Sequence, residues 1–251
     1  MGEMKAILFD KDGTLMDFHS IWVKVAEEVV AELIRTYKLP TTLQTTLLQE
    51  IGVEEMFVNP HSVLAAGTSM DLAYIFCKYV PSISVTEMRE WISEKLFFFM
   101  YKQRSHMKMT ADLPKLLTKL KEQGYILGVV TADDYEPTQL FLQQYQLQSF
   151  FEFIVTSDTF PAQKPNKQIV DVFCEQFQLH PSEVVIVGDT PTDMYLAQNS
   201  GAGYAIGVLS GTGDKETLDP LSDILLPSVG ELISDSGKLV WNETEKFMVN
   251  R

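Results

Sequence analysis

The stretch Lys5-Ala6-Ile7-Leu8-Phe9-Asp10-Lys11-Asp12-Gly13-Thr14-Leu15 decides the fold, because an apolar run ends abruptly there in two aspartates and a glycine. Ala6 to Phe9 are continuously apolar, the pattern of a strand covered on both faces in a parallel sheet. Ligands of open α/β sheets gather beyond the carboxyl ends of such strands, and Asp10 falls at that end. Gly13 relaxes the backbone so that the chain can turn back over whatever Asp10 and Asp12 hold, while the Thr14 hydroxyl can satisfy freed backbone groups. The loop suits a small polar ligand.

Outward from Leu15 the pattern becomes helical and stays so as far as Lys102. Trp22, Val25, Val29 and Leu33 recur at helical spacing and predict a helix over Ile21–Tyr37. Further helices are predicted over Thr42–Ile51, Ser69–Val80 and Thr86–Lys102, the last preceded by Ser84 with Glu87 at capping-box spacing. Residues 53–68, with the turn signal Asn59-Pro60-His61-Ser62 and the small run Ala65-Ala66-Gly67-Thr68, read as a loop. The aromatic run Phe97-Phe98-Phe99 with Met100 and Tyr101 is too continuous for one helix face, so part of it should pack.

From Met107 helices and strands alternate. Helices are predicted over Leu113–Gln123, Pro137–Tyr145, Lys167–Phe177 and Met194–Asn199, and strands over Ile126–Thr131, Phe151–Thr156, Val184–Gly188, Gly203–Val208 and Asp223–Leu226. Gly237 to Arg251 carry no firm pattern. Alternation of this kind implies an α/β fold, a Rossmann-like parallel sheet with right-handed crossovers. The expected organisation is a core domain of residues 1–15 and 108–251 with an inserted all-α cap domain, 16–107. Two crossings, near Met16–His19 and Ser105–Lys108, would let the cap hinge over Asp10 and exclude water.

Composition narrows the partners. With 34 acidic against 20 basic residues and a net charge of −14, the chain is not expected to bind nucleic acid or an anionic membrane. An anionic substrate is still allowed, since carboxylates holding a divalent cation present positive charge locally. Cys77 and Cys174 match no metal spacing and read as reduced thiols, which points to the cytoplasm. The early start of the first strand leaves no room for a signal peptide, and no apolar run reaches membrane-helix length. A monomer or homodimer is the default expectation.

The strand ends supply polar residues in order: Asp10 and Asp12, then Thr131, then Lys164 in Ala162-Gln163-Lys164-Pro165, then Asp189 and Asp193. In a parallel sheet all of them project at one edge. Mg²⁺ prefers carboxylate and water oxygens with substrate phosphate, which suits Asp10 and Asp189. Asp10 can attack phosphorus to give an aspartyl-phosphate, and Asp12 can protonate the leaving oxygen and later deprotonate water. Lys164, Thr131 and the amides of Asp12 and Ala132 can stabilise the transferring phosphoryl group. His19, His61, Thr68, Lys102 and Arg104 are candidates for the cap side of the pocket. Asp133 and Asp134 either touch the site or cap the following helix.

Asp10-Lys11-Asp12-Gly13-Thr14, Thr131, Lys164-Pro165 and Gly188-Asp189 with Asp193 resemble the four ordered motifs of the haloacid dehalogenase superfamily, in its branch with a helical cap after the first strand, which includes phosphoglycolate phosphatase-like enzymes. The resemblance implies Asp10 as nucleophile and Asp12 as general acid/base and, through its backbone carbonyl, magnesium ligand. It also implies Thr131 and Lys164 as phosphate binders, Asp189 as metal ligand, and Asp193 as support of the metal site, directly or through water. Ala132 stands where many relatives have Asn, and Lys164-Pro165-Asn166-Lys167 where many have Lys-Pro-x-Pro. The expected function is Mg²⁺-dependent hydrolysis of a small phosphorylated metabolite, phosphoglycolate-like or a sugar phosphate. A phosphomutase, a pyrophosphatase or a non-catalytic phosphate-ligand-binding protein stand as alternatives.

Overall fold

The computed structural model describes residues 3–55, 57–234 and 236–243. The strand that opens the chain, β1 (Ala6–Phe9), lies near the middle of the sheet with all four side chains buried. Then come α1 (Trp22–Thr36), α2 (Leu43–Glu50), a hairpin of β2 (Val53–Glu54) and β3 (Phe57–Val58), α3 (Val63–Ala66), α4 (Ser69–Cys77) and α5 (Val85–Gln103). The alternating part runs α6 (Leu113–Glu122), β4 (Ile126–Val130), α7 (Tyr135–Gln144), β5 (Phe153–Val155), α8 (Gln168–Phe177), β6 (Val184–Gly188), α9 (Pro191–Ser200), β7 (Tyr204–Val208), α10 (Lys215–Leu218) and β8 (Ile224–Leu226).

Six strands form one parallel sheet in the order β5-β4-β1-β6-β7-β8. The chain builds outward from β1 to β4 and β5, then returns to the other side of β1 for β6. That reversal opens a crevice beyond the carboxyl end of β1, where such folds bind their ligands. Continuously apolar strands feed both faces. Ile7 and Phe9 join the cluster shared with α6, α7 and the inserted helices, whereas Ala6 and Leu8 join the one shared with α8 and α9. Ile7, Leu8 and Phe9 each contribute about 1.5–3 kcal/mol on burial, which fixes the strand and with it the position of Asp10.

The segment after β1 is mostly helical, as its spacing predicts, but it is not all-α as expected, since it carries the hairpin β2–β3. Trp22, Val25, Val29 and Leu33 are buried along α1, and Ser84 and Glu87 form the expected capping box at the start of α5. Phe99 and Met100 pack inside while Phe98 and Tyr101 stay exposed. Residues 53–68 are more ordered than a loop. Val53 pairs with Val58 and Glu54 with Phe57, and the Ser62 hydroxyl caps α3. The strand-forming residues there are only two at a time, too few to show a period beside Asn59-Pro60. Helices α7 and α9 begin two and three residues earlier than expected, since Pro191 occupies the first turn of α9, where a missing N–H costs nothing.

The two crossings lie side by side. Asp17 N–H donates to Lys108 O at 2.9 Å, Thr110 N–H donates to Leu15 O at 3.0 Å, and Met16 bridges Met109 in antiparallel fashion. Cys174 is buried and Cys77 half-buried, both as free thiols. Among the described residues no helix is long and apolar enough to cross a membrane. Residues 244–251, part of the patternless C-terminal stretch, lie outside the described residues.

Candidate active site

The loop after β1 is wound around one carbonyl. Lys11 O accepts from the N–H groups of Thr14, Leu15 and Met16, and Gly13 N–H donates to Met16 O at 2.7 Å, so the Asp12 carbonyl is left out of the loop's own hydrogen bonds. Gly13 sits at φ +86°, and a Cβ there would stand 2.4 Å from Asp189 Oδ2, so both backbone conformation and space demand glycine. Thr14 departs from expectation. Its hydroxyl donates to the Asp189 carboxylate at 3.4 Å rather than to the backbone, because Gly13 lets the turn press directly against Asp189.

Asp10, Asp189 and Asp193 each bring a carboxylate oxygen within 4.8 Å of the others, and all three are buried. Asp189 Oδ2 accepts from Thr212 N–H at 2.8 Å, and Asp193 Oδ2 accepts from Thr190 N–H and Oγ1 in the capping box of α9. Lys164 reaches in to donate to Asp10 Oδ1 and Asp193 Oδ1, each at 2.6 Å. Burial pushes the Asp10 carboxyl up to about 7 against the pull of Lys164. Burial, then the charges of Asp10 and Asp193, holds Asp189 well above the usual carboxylate range. Burial alone would lower the Lys164 ammonium, but the two carboxylates outweigh it and raise it. Crowded like charges of hard oxygen donors fit a divalent cation, which would relieve their repulsion.

Thr131 ends β4 beside this cluster. Its N–H is spent on Val155 O, while Thr131 Oγ1 accepts from Asp133 N–H at 3.1 Å and keeps its own proton to donate. Among the described residues, the N–H groups of Asp12 and Ala132 find no acceptor within the chain, and both residues line the cleft. Free donors on two neighbouring loops suit an anion.

Asp12 is not in the carboxylate cluster. Its Oδ1 accepts from Trp22 Nε1 at 2.6 Å, and its Oδ2 lies 2.9 Å from Lys11 Nζ. Lys11 is completely buried and donates at 2.5 Å to Asp133, whose carboxyl burial pushes up to about 7 despite that ammonium. Sequence reasoning missed Lys11, which looks like a surface lysine, and Trp22, whose helical spacing reads as core. Asp134 precedes α7 without capping it with its side chain. Its carboxylate instead accepts from Ser69 at 3.1 Å and from Ser93, both in the inserted helices, and from Ser157. The turn Ser210-Gly211-Thr212, which folds over Asp189 and Gly13, was also missed, although small residues after a strand such as β7 are a readable sign.

A cleft opens over these groups, lined by Asp10, Asp12, Thr131, Ala132 and Lys164 on the sheet side. Of the candidates on the inserted side, only Thr68 lines it. His19 stacks edge-on against Phe18, Lys102 lies over Phe99 and Arg104 over Tyr101.

Residues 7–206 match the family described as haloacid dehalogenase-like hydrolase. The chain is 26% identical over 237 residues to a phosphoglycolate phosphatase of Vibrio cholerae, covering 93% of this chain and 97% of that one. It is 22% identical over 204 residues to a glyceraldehyde 3-phosphate phosphatase of Pyrococcus furiosus, covering 80% and 79%. A predicted phosphoglycolate phosphatase from Haemophilus somnus shares the fold with a TM-score of 0.68 at 20% identity, over 92% of this chain and 97% of that one. With four-fifths of its length matched in motif order, the chain is an enzyme of the haloacid dehalogenase-like hydrolase family.

Proposed function

We propose that this protein is a Mg²⁺-dependent phosphatase that hydrolyses a small phosphate monoester through an aspartyl-phosphate on Asp10. One observation carries the reading: Asp10 meets Lys164, Asp189 and Asp193 within a single phosphate-sized space, with the unspent N–H groups of Asp12 and Ala132 at its rim. The relatives named for phosphatase activity support the same reaction class.

The cation would be held by Asp10 and Asp189 with the Asp12 carbonyl, and by Asp193 directly or through water; bound there, it offsets phosphate charge and keeps the carboxylates ionised. Asp10 forms the bond to phosphorus from its carboxylate oxygen as the ester oxygen leaves. Lys164, the Thr131 hydroxyl and the two amides hold the non-bridging oxygens while charge shifts among them. Asp12 gives a proton to the leaving oxygen, then takes one from the water that attacks the acyl phosphate, which returns Asp10 to its starting state. Trp22 and Lys11 fix the carboxylate of Asp12 between these tasks. Residues 16–107 act as the cap that covers the site, and residues 1–15 with 108–251 as the core that carries the chemistry.

The test is phosphate release from p-nitrophenyl phosphate with and without a chelator, joined to acid-quenched mass spectrometry of the peptide holding Asp10. Wild type should release phosphate only with Mg²⁺ and show one added phosphoryl group on that peptide. Asp10→Asn should lower kcat by at least about a thousandfold, the loss expected when a nucleophile is removed. Full activity of Asp10→Asn, or of the chelated enzyme, would remove the reading.

A further inference from the structure

Asp134 stands just before α7, where an aspartate ordinarily caps the helix by accepting from the N–H of its second or third residue. The third is Pro137, which has no N–H to give, and the carboxylate turns outward instead. Three hydroxyls meet it there. Ser69 Oγ donates to Oδ1 at 3.1 Å, Ser157 Oγ donates to the same oxygen, and Ser93 Oγ donates to Oδ2 at 2.5 Å. Ser157 follows β5 and so belongs to the same sheet unit as Asp134, whereas Ser69 and Ser93 come from two helices of the inserted segment, α4 and α5.

Local sequence puts both of these serines in place. The capping box of Thr68 and Asp71 sets the first turn of α4, so Ser69 opens that helix and is buried at the cleft, which Asp134 also lines. Ser93 sits on α5 between the buried Ile92 and Leu96. The acceptor is equally fixed. Asp133 N–H donates to Thr131 Oγ1, Asp134 N–H donates to Asp133 Oδ1 at 2.8 Å, and Thr138 Oγ1 donates to Asp134 O at 2.9 Å, so the carboxylate hangs from a braced loop. Away from the two crossings, the described side-chain hydrogen bonds from the inserted segment to the sheet unit end on two carboxylates. Trp22 reaches Asp12, and Ser69 and Ser93 reach Asp134.

Resting on the phosphatase reading above, we infer that Asp134 is a positioning residue that latches the inserted segment shut over the site through Ser69 and Ser93. Each hydrogen bond to a charged acceptor shifts such an equilibrium by about tenfold or more, net of the water it replaces. When the closed form is less populated, substrate binds more weakly in proportion, while saturating substrate still closes the enzyme.

The double variant Ser69→Ala/Ser93→Ala, set against Ser157→Ala, tests this, because Ser157→Ala removes a donor to the same carboxylate from the sheet side. Small-angle X-ray scattering of the substrate-free protein should give the double variant a larger radius of gyration than wild type and leave Ser157→Ala unchanged. On p-nitrophenyl phosphate with Mg²⁺ the double variant should raise KM by at least about tenfold and keep kcat within about threefold, with both constants of Ser157→Ala within about threefold of wild type. Equal radii in wild type and double variant overturn the inference. So does an unchanged KM, or a change in Ser157→Ala as large as that in the double variant. If the double variant does not fold, Ser93→Ala alone carries the same comparison. Failure of the phosphatase reading looks different: wild type then releases no phosphate, and the scattering comparison by itself upholds or overturns the latch.

Discussion

Gly13 does two things that no other residue can do at once. Its left-handed backbone closes the loop around Lys11 O, and its missing side chain lets Asp189 approach. Gly13→Ala costs about 1–2 kcal/mol in backbone strain and also pushes the Asp189 carboxylate away. We expect Mg²⁺ affinity, measured by titration calorimetry, to fall at least about tenfold, with the melting temperature lowered by only several degrees. This residue was legible in the sequence because Asp-x-Asp-Gly after a buried strand has few other uses. That Asp10 and Asp189 meet was legible for the same reason, each directly following an apolar run whose direction the fold dictates, while Asp193 and Lys164 lie further along the loops that leave β6 and β5. Lys11 and Trp22 were not, because a lysine between two aspartates and a tryptophan on an apolar helix face look the same whether or not they meet.

Among the described residues, helix α1 reaches the proposed site through Trp22. Trp22 Nε1 holds Asp12 Oδ1 at 2.6 Å, and its ring lies under Lys11 Nζ at 5.5 Å while also walling the cleft. Trp22→Phe keeps the wall and removes the donor to a carboxylate, an interaction of about 1.5–3 kcal/mol. We expect kcat on an alkyl phosphate, whose leaving oxygen needs a proton, to fall by about tenfold or more. On p-nitrophenyl phosphate, whose leaving group departs as an anion, the fall should be markedly smaller, and equal losses on both would remove the positioning role. Elements of this length were readable from periodicity, and most predicted boundaries lie within a few residues. The hairpin β2–β3 and helix α3 were not, since each spans barely one period of the pattern that would announce it.

Taken as a whole, the protein stores repulsion at its site. Asp10 and Asp133 are raised to about 7 and Asp189 well above the usual range, in each case through burial first. A carboxyl raised on folding keeps a proton that the unfolded chain has lost, so the folded state binds more protons. Stability from these groups is therefore present below about pH 4 and is lost as pH rises through about 7. The metal-free melting temperature should fall between about pH 5 and about pH 8, and added Mg²⁺ should raise it more at the higher pH. Scanning calorimetry at several pH values checks this, and an increment independent of pH would contradict it. Little of this was visible beforehand, because a net charge of −14 does not say which acids share one buried space.

The paired crossings have a consequence for descent. Because Asp17 and Lys108 are hydrogen-bonded and Leu15 faces Thr110, the chain can leave and rejoin the sheet at a single doorway. Each doubling in length of whatever hangs from that doorway adds only about 0.6 kcal/mol of loop-closure entropy. Under the cap-and-core division proposed above, a lineage could therefore exchange one inserted segment for another without disturbing the sheet.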